Sequence, residues 1–261
     1  MVSAEPRRQT LTAAGWSVVA AGRLTHPPAA FAPVPLSPGD RDVAISVLVG
    51  AGIVVRHDGG AVEPVPPLAA DLATLGRPLL TVELEVTGRT GARQGWLALG
   101  RDVVVGLLTL ADGGVELSLA PAVRLGAELA RAVPHAAELT GPWPAGEEPG
   151  DGVPTAGPLP LALLEDVLSP DATAEERALA QELERRTAGS LSCRVAGRAG
   201  SAVGSGEVSW LATHAGWVGL RPRLGGEPRR MLDLVPVEPG DIGTWVAPTV
   251  GALLGNSDGR P

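Results

Sequence analysis

The sequence predicts an α+β fold built from two pseudo-symmetric halves. Each half is an antiparallel β-meander with flanking helices, and the two are joined through a central sheet. Three observations carry this. First, the chain repeats one element order, four strands then a helix, over residues 79–139 and again over 190–254; internal repeats decide the architecture before any single element does. Second, TVELEV alternates strictly, with Val82, Leu84 and Val86 on one side and Thr81, Glu83 and Glu85 on the other. That is the pattern of a sheet with one buried and one wet face. Third, residues 140–158 (TGPWPAGEEPGDGVPTAGP) are Gly, Pro and acid, a connector that divides the chain into halves 1–139 and 159–261.

Taken in order, residues 10–22 read as a first helix with Thr10 as its N-cap, because Leu11, Trp16, Val19 and Ala20 share a face. The preceding Arg7–Arg8 also resembles the start of a twin-arginine export signal. The apolar stretch after it is short, is broken by Gly15 and Ser17 and runs into Arg23, so the helix reading is preferred. Five prolines between His26 and Asp40 make an extended connector. Ser37 then caps a helix with Pro38 in its first turn. A short strand at Ile53–Val55, the turn HDGG and a helix over Pro67–Leu75 follow.

The first meander comprises Leu79–Gly88, Gly95–Gly100, Val103–Leu110 and Gly114–Ala120, joined by the tight turns LGRD and ADGG. Its helix spans Pro121–Leu139, kinked or ended by Pro134. After the connector, Leu159–Leu168 reads as a short helix. A second one over 171–189 has its acids early and Arg185–Arg186 late, as the helix dipole favours. The second meander is Ser190–Gly197, Glu207–Ala212, Gly216–Leu224 and Arg229–Val237, with GRAGSAVGSG (197–206) as a hairpin loop and Glu238–Gly255 as the closing helix. Trp96 and Trp210 fall in matching second strands.

Composition excludes several function classes. Net charge is −8, every one of the 21 basic residues is Arg, and no segment gathers them on one face. Nucleic-acid binding requires such a basic footprint to displace counterions. The longest apolar run, Val43–Val55, is too short to span a bilayer. The single cysteine, Cys193, alternates with Leu191 and Val195 and reads as a small buried hydrophobe. A chain rich in Ala, Gly, Val and Arg with no Lys points to a GC-rich bacterial genome, and the location read from all of this is cytoplasmic.

Catalytic signals are sparse. GRAGSAVGSG joins two strands and does not open a helix, so its amides are not arranged for phosphate. His26, His57, His135 and His214 are not at metal-ligand spacing with each other or with Cys193. Glu83 and Glu85 share a strand face, an arrangement far commoner in solvated strands than in acid–base sites. No metal and no cofactor are expected, and the chain reads as a non-enzyme. Trp143 stands out because it sits in the Pro/Gly connector, where it either docks that segment or meets a partner.

The order of elements resembles the EspG family, the secretion-associated chaperones of type VII (ESX) systems. The residues that carry the resemblance are PAAFAPVPLSPGDRDVAISVLVGAGIVV, VEPVPPLAADLATLGRPLLTVELEV and WLATHAGWVGLRPRLGGEPRRMLDLVPVEPGDIGTWVAPTVGALL. The resemblance implies a quasi-two-fold α+β fold without catalysis. It implies a cytosolic specificity chaperone that binds helical PE–PPE heterodimers and covers their apolar tip. It implies contact through the sheet face, the loop after the first long strand and the C-terminal helical region. Here that loop is Thr87–Gln94, short for the family, with Arg89, Thr90, Arg93 and Gln94; the helical region offers Glu182 and Arg186. Trp217 and Val218 replace an Arg–aromatic pair often found in the family, which makes Trp217 a further contact candidate. The expected partner is a PE–PPE-like heterodimer or a small WxG-type helical protein, with the chain itself a monomer or weak homodimer. A non-catalytic adaptor and an enzyme using His57, His135 or His214 between the halves are the alternatives.

Overall fold

In the computed structural model, which describes residues 5–24, 26–89, 91–140, 156–165, 172–199, 202–223 and 230–255, the two meanders form one ten-stranded antiparallel sheet. Its order is β1-β7-β6-β5-β4-β9-β10-β11-β12-β8. The first half supplies β4 (Leu80–Gly88), β5 (Gly91–Leu99), β6 (Val103–Thr109) and β7 (Val115–Pro121). The second supplies β9 (Thr187–Ala199), β10 (Ala202–Thr213), β11 (Gly216–Pro222) and β12 (Met231–Val237). An edge strand closes each end: β1 (Arg7–Leu11) on β7 and β8 (Gly157–Pro160) on β12. The strand order is a palindrome about the β4–β9 pair, so a pseudo-dyad runs through the middle of the sheet.

The registers locate that axis. Shifting residue numbers by 111 carries the pair Leu80↔Leu99 onto Leu191↔Trp210. The same shift carries Glu83 onto Arg194, its own cross-strand partner, so the axis passes through this pair. On the other face α4 (Leu125–Ala132) and α8 (Ile242–Gly255) meet at Gly126 and Gly243. A Cβ on Gly243 would stand 2.8 Å from the Gly126 Cα, so this close approach requires glycine.

The central strands β4 and β9 turn an apolar side to one face of the sheet. Leu80, Val82, Leu84 and Val86 of β4, with Leu191, Cys193 and Val195 of β9, are all at most 3% exposed. They are roofed by α4, α5 (Ala136–Thr140) and α8. Trp210 and Trp217 pack here at 6.1 Å, with Trp245 edge-on to Trp210 at 5.9 Å. Among the described residues, the opposite face is covered only at its flanks. α1 (Ala13–Ala20), α2 (Pro38–Gly50) and α3 (Pro66–Gly76) sit over β5–β7 with Trp96, Leu107 and Leu117. The helices α6 (Ala162–Glu165) and α7 (Ala174–Arg186) sit over β11, β12 and β8 with Leu163, Leu183, Val218 and Leu234.

Several expectations are corrected. Residues 7–11 are strand β1; the first helix starts at Ala13, capped by Thr12, whose Oγ1 accepts from the Gly15 N–H at 3.0 Å. Arg7 and Arg8 point to opposite sides of β1. Arg7 pairs with the buried Asp71 of α3, and Arg8 with the buried Glu128 of α4 at 2.8 Å, so the strand is clasped to both helical layers. Burial raises the Asp71 carboxyl despite the attraction of Arg7. Val62–Pro64, read as part of a turn region, is strand β3, paired with β2 (Val54–Arg56).

The helix expected over 121–139 is α4 over Leu125–Ala132 only: Val133, before Pro134, is extended, Pro134 cannot donate to a further turn, and a separate α5 follows. The end of the expected connector and the first residues of the helix expected over Leu159–Leu168 form edge strand β8, where Pro158 and Pro160 lack N–H groups that an edge does not need, and the helix that follows is α6. The presumed loop 197–206 is mostly strand, since β9 and β10 pair out to Ala199↔Ala202. Trp96 and Trp210 do lie in matching strands, but on opposite faces.

Candidate functional site

The flanking helices leave the centre of the second sheet face open, and the pleat decides what is displayed there. Side chains that alternate with the buried Leu80–Val86 set are Thr81, Glu83, Glu85 and Thr87; those that alternate with Leu191, Cys193 and Val195 are Ser190, Ser192, Arg194 and Ala196. The pairing aligns them into cross-strand rows. One row runs Trp96, Glu83, Arg194, Glu207, and the next runs Gln94, Glu85, Ser192, Ser209. Together they floor a groove of about 320 Å³, walled on one side by the Pro28–Phe31 segment. Phe31 is buried beneath this wall, with its carbonyl accepting from the Trp16 indole at 2.9 Å, while Ala29 and Ala30 are exposed.

Hydrogen bonding in the groove is sparse. The Ser192 hydroxyl donates to Glu207 Oε1 at 2.9 Å, Thr87 and Ser190 hydroxyls meet at 2.8 Å, and Gln94 Nε2 approaches Glu85 Oε1 at 3.5 Å. Glu83 and Arg194 stand opposite one another, yet neither side chain makes an ion pair or hydrogen bond among the described residues. Both charged ends are exposed. Behind the floor, burial first and the charge of Glu207 second push the Cys193 thiol up to about 12, so it is an inert core group.

The residues expected to contact a partner fall into several places. Gln94 lies in the groove. Arg93, one position earlier on the strand, faces the other side and lines a separate cleft of about 560 Å³ with Val86, Leu108, Arg131 and Leu139. The expected loop Thr87–Gln94 is therefore mostly strand, and Arg89 stands exposed at the turn itself. Glu182 and Arg186 lie on α7 three to seven residues from Gly189, which pairs with Gly88 beside that turn. The hairpin tip and the end of α7 thus share one end of the groove. Within α7, Glu182 accepts from Arg185 at 2.9 Å and from Arg186 at 2.7 Å, and these hydrogen bonds lower its carboxyl to about 2.

Trp217 is not on this surface. It is 3% exposed, and its indole donates to the Pro134 carbonyl at 2.9 Å, closing the break between α4 and α5. Its apolar bulk and satisfied N–H make it a core residue, which corrects its reading as a contact candidate. Thr90 and Trp143 lie outside the described residues. The groove residues Ser192, Arg194 and Glu207 escaped the sequence reading. The alternation that buried Cys193 already turned Ser192 and Arg194 to the opposite face, but only the β4–β9 pairing sets them beside Glu83 and Glu85. Among the described residues no His, Cys, Asp and Glu cluster is arranged to hold a metal ion, and no helix is long and apolar enough to cross a membrane.

No protein-family model matches the chain, and no curated protein matches it in sequence. Among solved structures, its fold is similar to that of the Mycobacterium tuberculosis type VII secretion system chaperone EspG5, determined in complex with a PE25–PPE41 dimer. The two share 13% sequence identity with a TM-score of 0.58, over 94% of this chain and 96% of that one. The chain has an EspG-like fold.

Proposed function

We propose that this chain is a specificity chaperone of a type VII secretion system, which binds the end of a helical secreted protein and keeps it soluble in the cytoplasm until export. The observation that supports this most is the extent of the fold likeness: it runs through 94% of this chain and 96% of a solved chaperone, leaving little of either unmatched. The site proposed for the client is the open groove, with Glu83, Glu85, Gln94, Ser192, Arg194 and Glu207 as floor, Ala29 and Ala30 as wall, and Arg89 with the Glu182–Arg186 end of α7 at its mouth. The work is binding without bond making or breaking. An exposed apolar helix tip drives aggregation, and covering it removes that surface from water. Polar floor groups orient the tip, and the apolar wall supplies the contact that holds it.

The test is co-expression with PE–PPE-type heterodimers and small helical secreted proteins of the source organism. A stable complex with one of them is expected on size exclusion. Ser192→Trp, which fills the groove floor, is expected to abolish that complex while leaving the circular dichroism spectrum unchanged. Failure of the wild-type chain to retain any such protein would overturn the proposal.

A further inference from the structure

We infer that the groove reads charge as well as shape. It accepts a helical end that is apolar on one side and basic on the other, and Glu83, Glu85 and Glu207 are the residues that recognise the basic side. This rests on the chaperone reading above and adds the chemistry of the partner.

The groove is a sheet face that no described element covers, although both its flanks are roofed. Three carboxylates and one guanidinium share its floor, a net charge of −2, within a chain of net charge −8. An acidic partner end would be repelled here, and a neutral one would bury Glu83 with no partner and leave Glu85 and Glu207 with only the Gln94 and Ser192 hydrogen bonds, a large desolvation cost. A partner bringing Lys or Arg side chains removes that cost. Glu83 and Arg194 strengthen the argument, because opposite charges directly across two strands ordinarily satisfy one another. Here neither side chain has a partner among the described residues, and both point into the open groove. The tip of a helical hairpin presents a helix N-terminus and a helix C-terminus side by side, with partial positive and negative charge. Such a tip sets its positive end and basic residues on the carboxylates and its free carbonyls within reach of Arg194. The exposed Ala29 and Ala30 then face the apolar side of the same tip.

The experiment uses the full chain and the helical proteins named above as probes, with affinity measured by calorimetry across salt from about 0.01 M to 1 M. The triple change Glu83→Gln, Glu85→Gln and Glu207→Gln is expected to weaken binding about tenfold or more and to flatten its salt dependence. Glu63→Gln, an exposed acid on β3 away from the groove, is expected to change neither. If the triple variant loses its fold, the reciprocal Lys or Arg to Glu changes on the partner tip give the same reading. Retained binding with unchanged affinity and salt dependence in either series overturns this inference and leaves the chaperone reading standing. A wild-type chain that binds no helical protein overturns both.

Discussion

Trp217 shows how much a single side chain carries that its position along the strand does not reveal. In sequence it opens a strand after Gly216, where an aromatic is as compatible with a surface as with a core. In the structure its ring packs on Trp210 and its N–H donates to the carbonyl of Pro134 in the break between α4 and α5. We expect Trp217→Ala to lower unfolding free energy by about 3–5 kcal/mol, from lost burial and an unpaired carbonyl. Trp217→Phe should cost less, which urea denaturation of the two variants resolves. Cys193 was legible by contrast: its alternation with Leu191 and Val195 requires burial, and the thiol is fully buried. Glu83 and Glu85 were also placed correctly on a wet face, but the charge opposite them was not, because Arg194 is more than a hundred residues away in sequence.

At the level of elements, local rules worked where the cause was local. Ser37 caps α2 as its sequence requires, accepting from the Asp40 N–H at 3.1 Å. They failed where pairing decided. Arg7–Leu11 and Gly157–Pro160 are strands because β7 and β12 offer open edges, not because five or four residues of those types prefer extension. The helix α7 carries its own pH signature. Glu182 titrates near 2 in the folded chain against 4.5 unperturbed, so the stabilisation it brings is complete above about 4.5 and is lost as pH falls from there towards 2. Glu182→Gln should therefore reduce stability at neutral pH and remove part of the loss seen on acidification, as followed by acid titration of the circular dichroism signal. Solvent exposure at this helix keeps the effect small.

The whole molecule is organised by a pseudo-dyad that passes through Glu83 and Arg194, with α4 and α8 meeting at Gly126 and Gly243 on the other face. Gly243→Val should force α4 and α8 apart, because the atom in the way is backbone, and cost about 1–3 kcal/mol in thermal or urea unfolding. Gly251→Val, where no atom lies within 4 Å of the added Cβ, is the comparison expected to cost less. The symmetry is one of backbone and not of side chains. Trp96 serves the helices α1–α3 while Trp210 serves the opposite face, so the two halves have diverged in what each strand buries.

By itself the sequence determined the doubled meander, the alternation that makes one face of the central strands apolar and the other polar, and the caps and breaks that local chemistry enforces. These follow from the period-two geometry of a strand and from the restricted backbone of proline, which act within a few residues. Only the tertiary structure decided that β4 pairs with β9, that edge strands close both ends, and that the helices roof the flanks and leave the centre open. Those outcomes depend on contacts between residues far apart in the chain, whose free energy is set by the surfaces that meet and is absent from any local stretch of sequence.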